Sequence, residues 1–145
     1  MSPEEKKTLD KIVTWINYSP RFESEIISFC QKNQLDYTPG VHNALIESKL
    51  VDDNSLILAW TEEAIRIRHR SPLQLKQALT KKRLSSELIK LAIDSIEQIW
   101  IEQSLITQIN LRNLENTPST YQKLLRRGYS YQSIKLAFEN SSPTN

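Results

Sequence analysis

At Ser19-Pro20, Thr38-Pro39, Ser71-Pro72 and Thr117-Pro118 a hydroxyl residue stands directly before a proline. Such a pair is suited to starting a helix. The hydroxyl accepts a hydrogen bond from a backbone N–H that has no partner inside the helix. The proline takes the first helical position, where its missing N–H costs nothing. Ser85 and Ser130 read as further caps, and Asp53 is expected to cap the helix that follows it. Gly128, after Leu124-Leu125-Arg126-Arg127, suits the left-handed residue that closes a helix. Between these signals apolar residues recur at helical spacing: Leu56, Ala59, Trp60, Ala64 and Ile67; Leu88, Ile89, Ala92, Ile93 and Ile96; Ile101, Leu105 and Ile109. No stretch alternates as a strand would, and two glycines in 145 residues argue against a turn-rich β-sandwich or barrel. The chain is expected to be all-α, with about nine short helices.

The helices also repeat. Ser71-Pro72 and Thr117-Pro118 lie 46 residues apart, and Ile-Lys-Leu-Ala occurs at 89–92 and again at 134–137. Ser19-Pro20 opens a looser first copy. Three tandem three-helix repeats are expected, at 8–50, 51–96 and 97–140, between an N-terminal tail, 1–7, and a disordered tail, 141–145. Repeats of this size stack on their neighbours, which predicts an elongated, curved molecule.

Several chemistries are excluded by what the chain lacks. Gly40 and Gly128 are too far apart to write a dinucleotide or phosphate loop. His42, His69 and the single cysteine, Cys30, have no metal-ligand spacing, and Asp52-Asp53 reads as a helix start. No serine sits in a nucleophile motif. No catalytic activity, metal or cofactor is expected. A lone cysteine suits a reducing compartment. No apolar run approaches the ~18 residues of a membrane span, and the N-terminus lacks the order of a signal peptide. A cytoplasmic monomer without membrane contact is expected.

Charge is unevenly spread. Residues 1–60 carry six basic and nine acidic side chains, residues 61–145 thirteen and eight. The window 66–83 contains Arg66, Arg68, Arg70, Lys76, Lys81, Lys82 and Arg83 and no acid. A second group, Lys123, Arg126, Arg127 and Lys135, is interleaved with Tyr121, Tyr129 and Tyr131. Such cations suit nucleic-acid phosphates or a carboxylate-rich protein surface, and a plain solvated face is the bland alternative. Trp15, Trp60 and Trp100, each early in its repeat and on its first helix, are expected to pack in the core.

These segments resemble a known family. Lys49-Leu50-Val51-Asp52-Asp53-Asn54-Ser55-Leu56-Ile57-Leu58-Ala59-Trp60 is similar to the G-L-L-D-D-x-x-F-A-x-x-W stretch of the bacterial RecX family. The run Arg66-Ile67-Arg68-His69-Arg70-Ser71-Pro72 resembles that family's basic stretch before its next helix. Residues 74–85 resemble its I-x-x-E-L-x-x-R-G-I-s pattern, and 123–135 its C-terminal repeat. The sequence departs from the family in having arginine at 70 and 83, near or at positions where the family has glycine, and in a longer first repeat through 33–37. The resemblance implies tandem three-helix repeats and a regulator of the recombinase RecA. Such a regulator would lie in the groove of the RecA–DNA filament and restrain its growth, ATP hydrolysis and strand exchange. The basic residues would then meet RecA, or DNA directly. A helix-turn-helix DNA binder is a rival, weakened because 86–96 offers only Lys90 to a base edge; a helical scaffold without nucleic acid is another.

Overall fold

The computed structural model describes residues 1–141. Its helices are α1 (Pro3–Ile16), α2 (Glu23–Lys32), α3 (Pro39–Glu47), α4 (Asp53–Arg66), α5 (Pro72–Lys81), α6 (Ser86–Ser95), α7 (Gln98–Arg112), α8 (Pro118–Arg127) and α9 (Tyr131–Asn140). The chain is all-α, with no strand among the described residues. Of the tail expected at 141–145, residues 142–145 lie outside the described residues. Residues 3–7, expected as part of an N-terminal tail, are instead the opening turns of α1.

Most starts follow the capping chemistry. The hydroxyls of Thr38, Ser71, Ser85, Thr117 and Ser130 each accept a backbone N–H from three residues on. Ser2-Pro3 is a further pair of the same kind. Its hydroxyl accepts the Glu5 N–H, and the Glu5 carboxylate accepts the Ser2 N–H. Glu5 also accepts from the Thr38 hydroxyl at 2.6 Å, and these bonds hold its carboxyl below its ordinary pKa, Thr38 most strongly.

Two starts differ from expectation. Ser19-Pro20 lies ahead of α2, which begins at Glu23 behind Phe22. A phenylalanine has no acceptor to offer. Glu25 therefore takes the Phe22 N–H at 3.1 Å, and Asp53 takes the Glu23 N–H at 3.0 Å. With Asp53 engaged there, Asp52 caps α4, accepting the Ser55 N–H at 3.1 Å. Burial, reinforced by the neighbouring carboxylates, raises the Asp53 pKa despite that backbone bond. Among the described residues six with positive φ follow helices: Gln34, Lys49, His69, Arg83, Asn113 and Gly128.

The chain forms two compact units, Met1–Ile57 and Leu58 onward. In the first, α1 packs on α3 around Ile12, Ile16, Ile26, Cys30, Val41, Leu45 and Val51. Cys30 is buried there as a small apolar group, and burial raises its thiol pKa. In the second, α9 packs on α7 and α8 around Leu105, Ile109, Leu124, Tyr129, Ile134 and Ala137, and α5 packs on α6.

The buried row of α4 is Ile57, Thr61, Ala64 and Ile65. The expected row shares only Ala64 with it; Ala59 is exposed and Ile67 is 69% exposed. In α6 only Ala92 is fully buried, whereas Leu105 and Ile109 of α7 are buried as expected. The tryptophans are half-buried rather than central. Trp15 lies on α1, near its end, stacked on Phe29 at 4.3 Å with the Arg21 guanidinium 4.5 Å from its ring centre.

Candidate functional site

The segment joining α4 to α5 carries Arg68 and Arg70, and its backbone is held at almost every residue. His69 is left-handed, with φ 55°. Its ring Nδ1 lies 2.8 Å from the Ser104 hydroxyl on α7, and its carbonyl accepts the Tyr129 hydroxyl at 3.1 Å. Gln108 completes the set, its amide donating to the Ser104 hydroxyl at 3.3 Å and to the Tyr129 hydroxyl at 3.1 Å. Arg127 donates to the Gln108 carbonyl oxygen at 3.4 Å. Burial raises the Tyr129 pKa, against the opposing pull of its hydrogen bonds.

Two further bonds fix the residues that follow. The Arg70 N–H donates to the Ala64 carbonyl at 2.9 Å, and the Ser71 hydroxyl donates to the Arg127 carbonyl. Ser71 is fully buried. Gly128 permits that approach: a Cβ there would lie 2.4 Å from the Leu73 Cβ and 2.9 Å from the Ser71 Oγ. Arg70 therefore stands between two residues whose positions are set by bonds to α7 and α8.

The Arg70 side chain is held as well. Its guanidinium carbon lies 5.3 Å from the ring centre of half-buried Trp60, and Lys82 Nζ lies 5.8 Å from the same ring. Arg70 Nη1 is buried with no hydrogen-bond partner among the described residues. A cleft of about 710 Å³ opens beside it, lined by Arg70, Leu73, Gln74, Lys76, Gln77, Ala78, Thr80 and Lys81.

The expected site residues thus separate. The structure brings Arg70, Lys76 and Lys81 to one cleft and sets Lys82 with Arg70 on Trp60. Arg66 and Arg68 are exposed and partly neutralised, Arg66 by Glu62 at 2.8 Å and Arg68 by Glu63 at 3.7 Å. Arg83 is exposed at the left-handed end of α5, with φ 59°. Arg127 is turned toward Gln108, while Lys123, Arg126 and Lys135 are exposed on α8 and α9. Among the tyrosines, Tyr129 belongs to the buried network and Tyr121 lies 5.2 Å from Tyr131, ring centre to ring centre.

Sequence reasoning missed the part played by Trp60 and by the Ser104–Gln108 pair. The second has a faint signal: two polar residues four apart on the apolar row of α7. His42 lies in the first unit, its Nδ1 3.0 Å from Glu23 and 3.1 Å from the Tyr37 hydroxyl, whose pKa is raised first by burial and then by Glu23. Among the described residues no three His, Cys, Asp or Glu side chains gather as a metal set, and no helix is long and apolar enough to cross a membrane.

No family model matches the chain. It is 25% identical over 133 residues to the regulatory protein RecX of Streptococcus equi subsp. zooepidemicus, covering 86% of this chain and 52% of that protein. It is 25% identical over 145 residues to the RecX of Halalkalibacterium halodurans, covering 93% and 54%. The chain spans about half the length of the curated relatives it matches. Its fold is similar to the crystal structure of RecX from Lactobacillus salivarius, with a TM-score of 0.77 and 17% identity, covering 96% of this chain and 97% of that one. The resemblance read from the residues is borne out: in sequence and in fold this chain is similar to the RecX regulatory proteins.

Proposed function

We propose that this chain binds a RecA–DNA filament and restrains filament growth, ATP hydrolysis and strand exchange. The observation that carries the proposal is the held basic segment: Arg70 fixed between α4 and α5, beside a cleft to which Lys76 and Lys81 add positive charge. The likeness to RecX regulatory proteins supports the choice of target. Arg66, Arg68, Arg70, Lys76, Lys81, Lys82, Arg83, Lys123, Arg126, Arg127 and Lys135 form the proposed contact surface. Arg70, Lys76 and Lys81 are its centre; Arg66, Arg68 and Arg127 contribute less because each already meets an acceptor.

The mechanism is steric and electrostatic. Three-helix repeats at 8–50, 51–96 and 97–140 would present several weak contacts to successive subunits of the filament. Each contact made raises the effective concentration of the next. The chain acts as a cytoplasmic monomer, by occupancy and not by chemistry of its own. The test is RecA ATPase on single-stranded DNA at substoichiometric protein: turnover falls if the proposal is right, and unchanged turnover at equimolar protein contradicts it.

A further inference from the structure

We propose that the α5 cleft binds the phosphodiester backbone of a nucleic-acid strand, with Arg70 as its anchoring residue; this rests on the reading of the chain as a filament regulator and assigns the cleft to the nucleic acid rather than the protein. Three observations carry it.

First, Arg70 is preorganised. His69 and Ser71 on either side are bonded to α7 and α8, and the guanidinium lies on the Trp60 ring. A guanidinium already fixed loses less freedom when it meets an anion, and its planar fork matches two oxygens of one phosphate.

Second, the cations are gathered. Arg70, Lys76 and Lys81 line the cleft, and Lys82 shares the Trp60 ring with Arg70. Arg70 precedes α5, Lys76 and Lys81 lie on it and Lys82 follows it, with the Arg70 and Lys82 head groups converging on the Trp60 ring. A strand carries one phosphate per roughly 3.4 Å of a duplex, so cations gathered at one cleft can meet neighbouring phosphates of a single strand. A single surface carboxylate would use one cation and leave the rest idle.

Third, the cleft holds no acid. Its other lining groups are Gln74, Gln77, Thr80, Leu73 and Ala78, and residues 66–83 contain neither aspartate nor glutamate. Amide and hydroxyl groups can donate to phosphate oxygens without repelling them.

The experiment measures binding of a fluorescent oligothymidylate to the full chain by anisotropy at several salt concentrations, with RecA ATPase inhibition followed in parallel. Lys76→Gln/Lys81→Gln should lower the slope of log affinity against log salt by about 1.4, roughly 0.7 per lost contact on a single strand. Arg70→Lys keeps the charge but not the fork, so affinity should fall several-fold with the slope nearly unchanged. Circular dichroism checks that each variant keeps its helix content, and the two lysines are exposed, so their replacement leaves the core intact.

An unaltered slope in the folded double variant overturns the proposal. So does inhibition of RecA that persists in a chain with no affinity for the oligonucleotide, because the surface then faces protein. Competition by polyglutamate as effective as by unlabelled oligothymidylate also overturns it. Oligonucleotide binding that depends on the cleft, without any effect on RecA, upholds this assignment and refutes the filament reading instead.

Discussion

In residues 1–57 the polar side chains that tie the helices together sit at helix ends, around a core of apolar residues in which Thr8 is the buried polar side chain. Asp53 closes the start of α2, and Glu5 meets the Thr38 that starts α3. From Leu58 onward the arrangement is different. Ser104 and Gln108 are buried on α7 and, with Tyr129, hold the segment around His69. The first unit carries three more acids than bases, the second five more bases than acids. The unit with the excess of cations therefore also carries the buried polar network, and that network fixes the backbone next to Arg70. Buried hydrogen bonds add little net stability, but leaving one unmade is expensive. They specify one geometry for the segment where the first unit only joins helix ends.

The two glycines give the sharpest way to break this contrast. Gly128 has φ +107° and no room for a Cβ beside Leu73 and Ser71. Gly128→Ala should destabilise by about 2–5 kcal/mol, combining backbone strain with overpacking. Gly40 lies in the first turn of α3, where an added Cβ would meet the carboxylate end of the Glu5 side chain, which can shift at the expense of its bond from Thr38. Gly40→Ala should change stability by no more than about 1 kcal/mol, since helix propensity favours alanine. Urea unfolding of both variants checks the pair; equal losses would erase the distinction.

Gln108→Leu comes next. It fills the space but leaves the Ser104 and Tyr129 hydroxyls each short of a donor. A loss of about 1–3 kcal/mol is expected. Amide exchange should also speed up at Arg70, although its own N–H bond to Ala64 is untouched by the substitution. Protection at Arg70 equal to that of the parent chain would show that the network does not hold this segment.

How far these features are legible in the sequence depends on how local their chemistry is. A hydroxyl before a proline acts within one turn, so Thr38, Ser71 and Thr117 could be read directly. Gly128 was legible for the same reason. Ser19-Pro20 has the same pattern, yet α2 starts later, because its N–H groups are met by Glu25 and by Asp53, thirty residues away. The α4 stripe was misread because its buried row includes a threonine, Thr61, while the apolar Ile67 is exposed. Of the candidate site, residue types and clustering were visible. The His69–Ser104–Gln108–Tyr129 network joins residues 35 and 60 positions apart, and the cleft and the Trp60 contact, though made within residues 60–82, depend on how the helix ends are held rather than on any spacing.

Arg83 offers a smaller and opposite effect. It is exposed in the left-handed region that suits glycine, with φ 59°. Arg83→Gly should stabilise by about 1 kcal/mol while removing one charge from the basic surface. Thermal unfolding measures the gain. A more stable variant with weaker binding would separate the two roles of this position.

The smallest effect concerns pH. The raised pKa of Asp53 means that the fold disfavours its ionised form. That penalty is present above the folded pKa and disappears as pH falls below the unfolded value, where both states are protonated. Asp53→Asn retains an acceptor for the Glu23 N–H and removes the penalty. The variant should be slightly more stable than the parent at neutral pH, with the gain shrinking through the acidic carboxylate range. A gain that grows on acidification would reverse the sign assigned to this group.

If the cleft beside Arg70 restrains a recombinase filament, RecA ATPase on single-stranded DNA must respond to the charges of that cleft. The parent chain and a Lys76→Glu/Lys81→Glu variant, matched for helix content, are titrated into identical filaments. The parent should inhibit at substoichiometric protein, and the variant should need at least a tenfold higher concentration to reach the same inhibition, a difference of roughly 1.4 kcal/mol or more. Equal inhibition by both proteins, or none by either, would contradict it.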